Sequence, residues 1–165
     1  MRYSLEPIKK ILCPVDFSDY SRCTLQEALT LAEKLGAQVV FLHVVNEVLF
    51  KDLERLSGRV ELFNGALDEA IEATKEDRAQ KLVALLHENQ AERVAHTSRV
   101  TMGIPWEKIL EVVQEEDIDL IVMGAKGRGA LVRYLRFGSS AEKIFRRAKC
   151  RTMFVRGAED DPAGR

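Results

Sequence analysis

The sequence predicts an α/β fold, in which five parallel strands form one sheet and helices pack against it. Three observations support this prediction. Short runs rich in valine, isoleucine and leucine alternate with helical patterns from one end of the chain to the other. The run Gln38–Val45 is continuous and rich in β-branched residues, which is typical of a strand covered on both faces. A helical segment separates consecutive strands, and such crossovers join parallel neighbours.

The first strand and the first helix are each marked by their own ends. Ile8–Val15 is predicted as a buried strand, and Pro14 stands at its C-terminal end, where a missing N–H is tolerated. Tyr20–Leu35 is predicted as a helix, because its apolar residues recur at three- and four-residue spacing. Gly36 follows the last of them and is the residue that commonly terminates a helix.

The middle of the chain predicts a helix, a strand and a second helix. Ala66–Glu88 carries a long amphipathic pattern and is predicted as a helix. Val94–Met102 alternates in polarity and is predicted as a strand that ends at Gly103. Pro105 suits the first turn of the helix predicted at Trp106–Glu116.

The last third of the chain predicts a strand, a helix and a final strand. Asp119–Met123 is a short buried strand, Ser139–Ala148 a helix and Arg151–Val155 a strand. The segment Asn46–Gly65 has no regular pattern beyond a short helical stretch. The polar tail Gly157–Arg165 is predicted to be frayed.

Length and composition predict one domain, residues 1–165, with 46% apolar residues to build its core. The net charge of −1 argues against a dedicated nucleic-acid binder. Charge is unevenly placed, however. Nine lysines and arginines and a single acid, Glu142, lie between Gly124 and Arg151, a net charge of +8 that leaves −9 for the rest. A local basic zone of this size fits a small polyanion better than a long one.

The cysteines and the apolar runs bear on where the protein resides. Cys13, Cys23 and Cys150 are widely spaced and form no CxxC or zinc-like cluster, so reduced thiols are expected. The N-terminal residues do not form a signal peptide, and no run approaches the roughly 20 apolar residues of a membrane span. We therefore expect a cytoplasmic protein without a membrane partner. Cys150, between Lys149 and Arg151, is also a candidate for a thiol with a lowered pKa.

A glycine-spaced turn carries the main functional signal. The strand that ends at Met123 is followed by Gly124-Ala125-Lys126-Gly127, ten further residues and then Gly138-Ser139-Ser140 at a helix start. Glycines permit φ > 0 and close backbone approach, and a helix N-terminus carries about half a positive charge. Lys126, Arg128, Arg133 and Arg136 add cationic charge. The pattern predicts a phosphate site. The alternative is plain capping, with Ser139 as N-cap and Glu142 completing a capping box.

Two further strand ends face the same edge of the predicted sheet. Asp16 directly follows the first strand, and a carboxylate there suits a hydroxyl or amino group, as in ribose or adenine. The alternative is an acid that stabilises a helix entrance. Val44 lies near the end of the second strand, where backbone groups could meet a base edge, although as sequence it is an ordinary core residue. The three histidines are scattered without metal or triad spacing, and Trp106 is interpreted as a packing residue.

Together these segments resemble the universal stress protein family over residues 7–156. The resemblance is carried by ILCPVDFS at residues 11–18, LHVV at 42–45, Gly103-Ile104-Pro105 before a helix, the loop from Gly124 to Ser140, and TMFV at 152–155. It implies a doubly wound sheet of strand order 3-2-1-4-5, of the adenine-nucleotide alpha-hydrolase-like type. It also implies a homodimer paired through the last strand, Arg151–Val155.

Members of this family that bind ATP carry Gly-x2-Gly-x9-Gly-[Ser/Thr], and the resemblance implies ATP, with or without Mg²⁺, as the ligand here. In this chain ten residues, not nine, separate Gly127 from Gly138, and the extra residue either bulges outward or displaces the helix entrance. The predicted nucleotide-binding residues are Pro14, Val15, Asp16, Val44, Met123, Gly124, Gly127, Arg128, Gly138, Ser139 and Ser140.

Three functions remain open at the level of sequence. The first is a stress-response module that binds ATP and acts through dimerisation or a partner. The second is a slow ATP hydrolase of the same fold, although near the predicted phosphates the sequence offers only basic groups and serines, without the metal ligands that phosphoryl transfer uses. The third is a nucleotide-free stress protein whose basic loop receives an acidic partner.

Overall fold

A computed structural model describes residues 6–18, 20–48, 64–126 and 138–156. For residues 64–67 it describes the backbone only. Five strands are described: β1 Lys10–Pro14, β2 Gln38–Asn46, β3 His96–Gly103, β4 Leu120–Gly124 and β5 Arg151–Val155. The helices in these ranges are α1 Tyr20–Leu35, α2 Asn64–Glu88, α3 Pro105–Glu115 and α4 Ser139–Arg147, with a 3₁₀ turn at Ala91–Arg93. Every strand and long helix predicted from the sequence within these ranges is present, with ends that differ by at most two residues.

All strand pairs are parallel, and the strand order is β3-β2-β1-β4-β5. This confirms the order that the family resemblance implies. The chain adds β2 and β3 on one side of β1 and then crosses to the other side to form β4 and β5. The order therefore reverses between β1 and β4, and in open α/β sheets ligands bind at the carboxyl ends of the strands beside such a point.

The three central strands, β1, β2 and β4, bury both of their faces, because helices cover the sheet on each side, whereas the edge strands β3 and β5 are partly exposed. One core contains Ile11, Cys13, Val39, Phe41 and Val122 with residues of α1 and α2. The other contains the alternate strand residues, Leu12, Val40, Leu42, Ile121 and Met123, with residues of α3 and α4. Successive side chains of a strand point to opposite faces, so continuous apolar runs supply both cores at once.

The helix ends follow the signals in the sequence. Gly36 has φ 65°, and the amide of Ala37 donates to the carbonyl of Ala32 over 2.9 Å, which closes α1 with a left-handed terminal glycine. Pro105 occupies the first turn of α3. None of the described helices has the length and apolar character needed to cross a bilayer.

Asp119 connects the starts of three strands at the amino edge of the sheet, through both its side chain and its backbone. Asp119 Oδ2 accepts hydrogen bonds from the backbone amides of Lys9 and Lys10 at 2.8 and 2.9 Å. The backbone of Asp119 also donates to the Lys10 carbonyl and accepts from the amide of Arg151. The starts of β1, β4 and β5 are thus fixed at one residue.

Several predictions concern residues outside the described part of the chain. These are Asp19, most of the Asn46–Gly65 segment, the frayed tail Gly157–Arg165, and the loop residues from Gly127 to Phe137, including Arg128.

Candidate functional site

A crevice opens at the carboxyl edge of the sheet because β1 and β4 separate there. Within these two strands, pairing is confined to Ile11 with Leu120 and Leu12 with Ile121, in the amino-terminal halves. Beyond that point each strand follows its other neighbour. The amide of Val15 donates to the carbonyl of Leu42 on β2 at 2.8 Å. On the other side, the amide of Ala125 donates to the carbonyl of Val155 on β5, also at 2.8 Å.

Asp16 forms one wall of the crevice, and its carboxylate is held at a fixed orientation. Oδ1 accepts hydrogen bonds from the amide of Ser18 at 3.0 Å, the hydroxyl of Ser18 at 2.6 Å and the hydroxyl of Ser21 at 2.9 Å. Asp16 thus fulfils the alternative role, that of an acid at the entrance of α1. The same contacts hold its side chain half-buried beside the point where the strand order reverses, so the two roles are compatible.

His43 and Phe17 lie directly behind this wall. The buried imidazole of His43 places Nδ1 2.7 Å from the carbonyl oxygen of Val15. The backbone of Phe17 has φ 59°. Its ring lies against the imidazole of His43, with the two ring centroids 4.6 Å apart. The guanidinium of Arg78 also lies over the ring of Phe17, with its Cζ 5.9 Å from the ring centroid. The sequence shows no metal or triad spacing around His43 and therefore predicts no functional role for it; the one signal was an imidazole inside an otherwise apolar strand run.

Gly124 forms the base of the opposite wall, and close backbone approach is what requires glycine there. Among the described glycines, a left-handed φ occurs at Gly36 and Gly103 and not at Gly124. A Cβ built on Gly124 would lie 2.9 Å from the carbonyl oxygen of Lys126 and 3.5 Å from Thr24 Oγ1 of α1. Glycine is required at this position because the backbone carbonyl of Lys126 leaves no room for a Cβ, so of the two properties that the sequence predicts for these glycines, close backbone approach is present at Gly124 and a positive φ is not.

Gly138 returns the chain to the same wall. Its amide donates to the carbonyl of Ala125 at 2.8 Å, so the chain that leaves β4 comes back to its starting point to begin α4. Gly138 itself is the N-cap, with φ −73° and ψ 159°, and as a glycine it supplies no side chain to cap this end of the helix. Ser139 is the first helical residue. The predicted Ser139 cap with a Glu142 capping box is therefore wrong, because the N-cap lies one residue earlier.

Three basic side chains of α4 contact Glu142 of the same helix or the ring of Trp106. Arg146 pairs with Glu142 at 2.9 Å. Lys143 Nζ and Arg147 Cζ lie 5.2 and 4.5 Å from the ring centroid of Trp106. Trp106 therefore packs between α3 and α4 as predicted, and it also stabilises two cations through its π face. Lys126, two residues after the end of β4, is the cationic residue in the described part of the glycine loop.

The predicted nucleotide-binding residues fall into three groups. Those on the β1 side are Pro14, Val15 and Asp16, and those on the β4 side are Met123, Gly124, Gly138, Ser139 and Ser140. Val44 lies one strand away, two residues before the end of β2, paired with Thr101 and packed towards the α3 side. Gly127 and Arg128 lie outside the described residues. The two main walls thus face one another across the crevice between β1 and β4.

Two of the three cysteines, Cys13 and Cys150, are shielded from solvent to different degrees, and neither has a lowered pKa. Burial raises the pKa of the Cys13 thiol to about 12 and also raises the pKa of Cys150 above its ordinary value. The prediction of a lowered pKa at Cys150 is wrong, because desolvation outweighs the neighbouring positive charge of Arg151. Among the described residues, no group of three potential ligands from His, Cys, Asp and Glu comes together as a metal site.

Comparison with known proteins agrees with this architecture. The sequence profile described as "Universal stress protein family" matches residues 7–156. A universal stress protein of Methanocaldococcus jannaschii is 32% identical over 148 residues, which cover 90% of this chain and 82% of that protein.

Solved structures share the fold. Universal stress protein UspA from Lactobacillus plantarum superposes with a TM-score of 0.76 at 23% identity, covering 92% of this chain and 99% of that one. The universal stress protein from Archaeoglobus fulgidus, solved in complex with dAMP, gives a TM-score of 0.59 at 20% identity, covering 91% and 99%. From the family match, the sequence relative and the strand order, the chain belongs to the universal stress protein family.

Proposed function

We propose that this protein binds an adenine nucleotide, with ATP as the ligand, in the crevice between β1 and β4, and that it acts in the cytoplasm as a stress-response module. One observation carries the proposal. The crevice is bounded on one side by a fixed carboxylate, Asp16, and on the other by the N-terminus of α4, where Gly138 leaves the first-turn amides without a side-chain cap. A nucleoside hydroxyl suits the first wall and a phosphate the second.

The proposed roles follow from this arrangement. Asp16 receives a hydroxyl or amino group of the nucleoside. The amides and hydroxyls of Ser139 and Ser140, at the positive end of α4, receive phosphate oxygens, and the absent side chain at Gly138 lets the phosphates approach. Gly127 and Arg128 belong to the site by their position in the family's glycine motif. The adenine nucleotide dAMP in the related Archaeoglobus fulgidus protein supports the choice of base.

The described residues favour binding over hydrolysis. Phosphoryl transfer uses residues that hold a metal ion and orient the attacking water. Next to the first turn of α4 the described chain supplies serines and Lys126, while Asp16 stands at the opposite wall with Oδ1 already bound by three donors. A metal ion bound with ATP would therefore be held mainly by the nucleotide.

We propose a homodimer paired through β5. This strand lies at the edge of the described sheet, so one row of its backbone amides and carbonyls faces outward. Phe145 of α4 is 67% exposed and lies against Phe154 of β5, with ring centroids 6.2 Å apart. A second copy of the strand would extend the sheet and cover this aromatic pair.

Calorimetric titration of the purified protein with ATP and Mg²⁺ tests the binding function. We expect a saturable signal, and we expect Asp16→Asn to raise the Kd at least tenfold, because the neutral amide keeps an oxygen for Ser18 and Ser21 but loses the charge. Asp117→Asn, at an exposed acid of the opposite sheet edge, is the matched control and should leave the Kd unchanged. The absence of saturable binding by the unmodified protein at millimolar ATP would overturn the proposal.

A further inference from the structure

His43 contacts the residues on both sides of Asp16. Its Nδ1 lies 2.7 Å from the carbonyl oxygen of Val15, which precedes Asp16. Because a carbonyl oxygen can only accept, Nδ1 carries the proton and donates it. The same imidazole also contacts the ring of Phe17, the residue that follows Asp16. The two ring planes are inclined at 50°. One buried side chain of β2 therefore holds both neighbours of the proposed nucleoside-binding residue.

The backbone at Phe17 needs such support. Phe17 has φ 59°, a left-handed conformation that large side chains rarely adopt. Such a conformation persists when surrounding contacts fix it, and it occurs often at binding sites. Here the ring contacts both the imidazole of His43 and the guanidinium of Arg78. The turn at Phe17 brings Ser18 back towards Asp16, where the Ser18 amide and hydroxyl donate to Oδ1.

We infer that His43 is the positioning residue of the nucleotide site, acting through Val15 and Phe17 to set the orientation of the Asp16 carboxylate. This inference rests on the proposed nucleotide-binding function and deepens it. The hydrogen bond to Val15 fixes the end of β1 beyond its last ladder position, and the ring contact fixes the turn that follows. His43 lies behind the wall and acts on the ligand only through that wall.

This role makes a selective prediction. Asp16 is proposed to contact the nucleoside, whereas the α4 N-terminus is proposed to contact the phosphates. Displacement of Asp16 should therefore weaken binding of ATP and leave binding of inorganic tripolyphosphate unchanged. If His43 had a purely structural role, its substitution would reduce the fraction of folded protein and weaken the binding of ATP and of tripolyphosphate equally, or would affect neither. The ratio of the two Kd values therefore separates a positioning role from a structural one.

Two substitutions separate the two contacts of the imidazole. His43→Phe keeps a ring against Phe17 and removes the donor to Val15. His43→Asn keeps an N–H donor near the position of Nδ1 and removes the ring. His96 provides the matched control, because its Nδ1 lies 3.1 Å from the Val94 carbonyl and its ring contacts Phe41 edge-on, but it stands at the amino edge of the sheet. His96→Phe tests the same kind of change away from the crevice.

Calorimetric titrations of each folded variant with ATP and with tripolyphosphate give the readout. We expect His43→Phe to raise the Kd for ATP about tenfold with an unchanged Kd for tripolyphosphate, His43→Asn to recover most of the ATP affinity, and His96→Phe to alter neither. An equal change in both Kd values, or no change in either, for His43→Phe would overturn the positioning role. Failure of the unmodified protein to bind ATP would instead overturn the proposed function itself.

Discussion

The amide nitrogen of Gly138 lies 2.8 Å from the carbonyl oxygen of Ala125, so the glycine loop leaves β4 and re-enters the fold at the same place. This hydrogen bond bears on whether the ten-residue spacing between Gly127 and Gly138 displaces the entrance of α4. The extra residue does not separate the two ends of the loop, because the entrance of α4 is tied directly to the end of β4. The helix N-terminus therefore lies beside the crevice whatever path residues 127–137 take.

Stability and binding should respond in opposite directions at Gly138. Its β-region dihedrals are those of a capping residue, so Gly138→Asp places a carboxylate on the first-turn amides of α4 and should stabilise the protein by about 0.3–1 kcal/mol. The same carboxylate occupies the proposed phosphate position, and ATP binding should fall at least tenfold. Thermal unfolding and calorimetric titration measure the two effects. Gly138→Asn, a cap without charge, is the control and should weaken binding less. Unchanged ATP affinity in Gly138→Asp would argue against phosphate binding at α4.

The proposed dimer can be tested at Phe145. Phe145→Ser removes a large exposed ring beside β5, and we expect the dimer dissociation constant to rise at least tenfold, since burying such a side chain contributes roughly 1.5–3 kcal/mol. Sedimentation velocity over a concentration series measures the change. Val83→Ser on α2, at a residue 58% exposed on the other side of the sheet, provides the control. A dimer that Phe145→Ser leaves intact would place the interface elsewhere.

Asp119 should contribute strongly to stability without a part in binding. Asp119→Ala leaves the amides of Lys9 and Lys10 without their carboxylate acceptor, and we expect a loss of about 1–3 kcal/mol in the free energy of unfolding. Urea unfolding followed by circular dichroism gives this value. Asp117→Asn, two residues earlier, should be nearly neutral, because asparagine tolerates the left-handed φ of 51° at that exposed position. Equal stability of Asp119→Ala and the unmodified protein would show that these amides are satisfied without the carboxylate.

The three cysteines should react with a thiol reagent in a fixed order. Cys23 is exposed and should react first. Cys150 is partly buried with a raised pKa and should follow slowly. Cys13 is fully buried, and that burial raises the pKa of its thiol to about 12, so the reactive thiolate is disfavoured in the folded protein. Its labelling should therefore track global unfolding, as peptide mass spectrometry over time can measure. Early labelling of Cys13 in native buffer would contradict the described core around β1.

Much of the fold could be predicted from local pattern. The bounds of α1 and β5 agree with the prediction residue for residue, because apolar spacing and the terminating Gly36 are properties of neighbouring residues. The continuous runs also predict that both faces of the sheet are buried. The close backbone approach expected at Gly124 is present, because a Cβ there would lie 2.9 Å from the carbonyl oxygen of Lys126. The capping interpretation failed by one residue: the cap of α4 lies at Gly138, immediately before the serine that resembles a cap.

The sequence by itself determined the alternation of strands and helices, the two buried faces and the presence of a glycine-rich turn before a helix. These follow from the three- to four-residue and two-residue periodicities of the backbone and from the conformational freedom of glycine. Only the tertiary structure decided that β1 and β4 part beyond Leu12, that Asp119 holds the start of β1, and that His43 reaches Val15. The last two contacts join residues 109 and 28 positions apart, and no local pattern encodes such distances. They arise because parallel strands bring their like ends to one edge of the sheet whatever the length of chain between them.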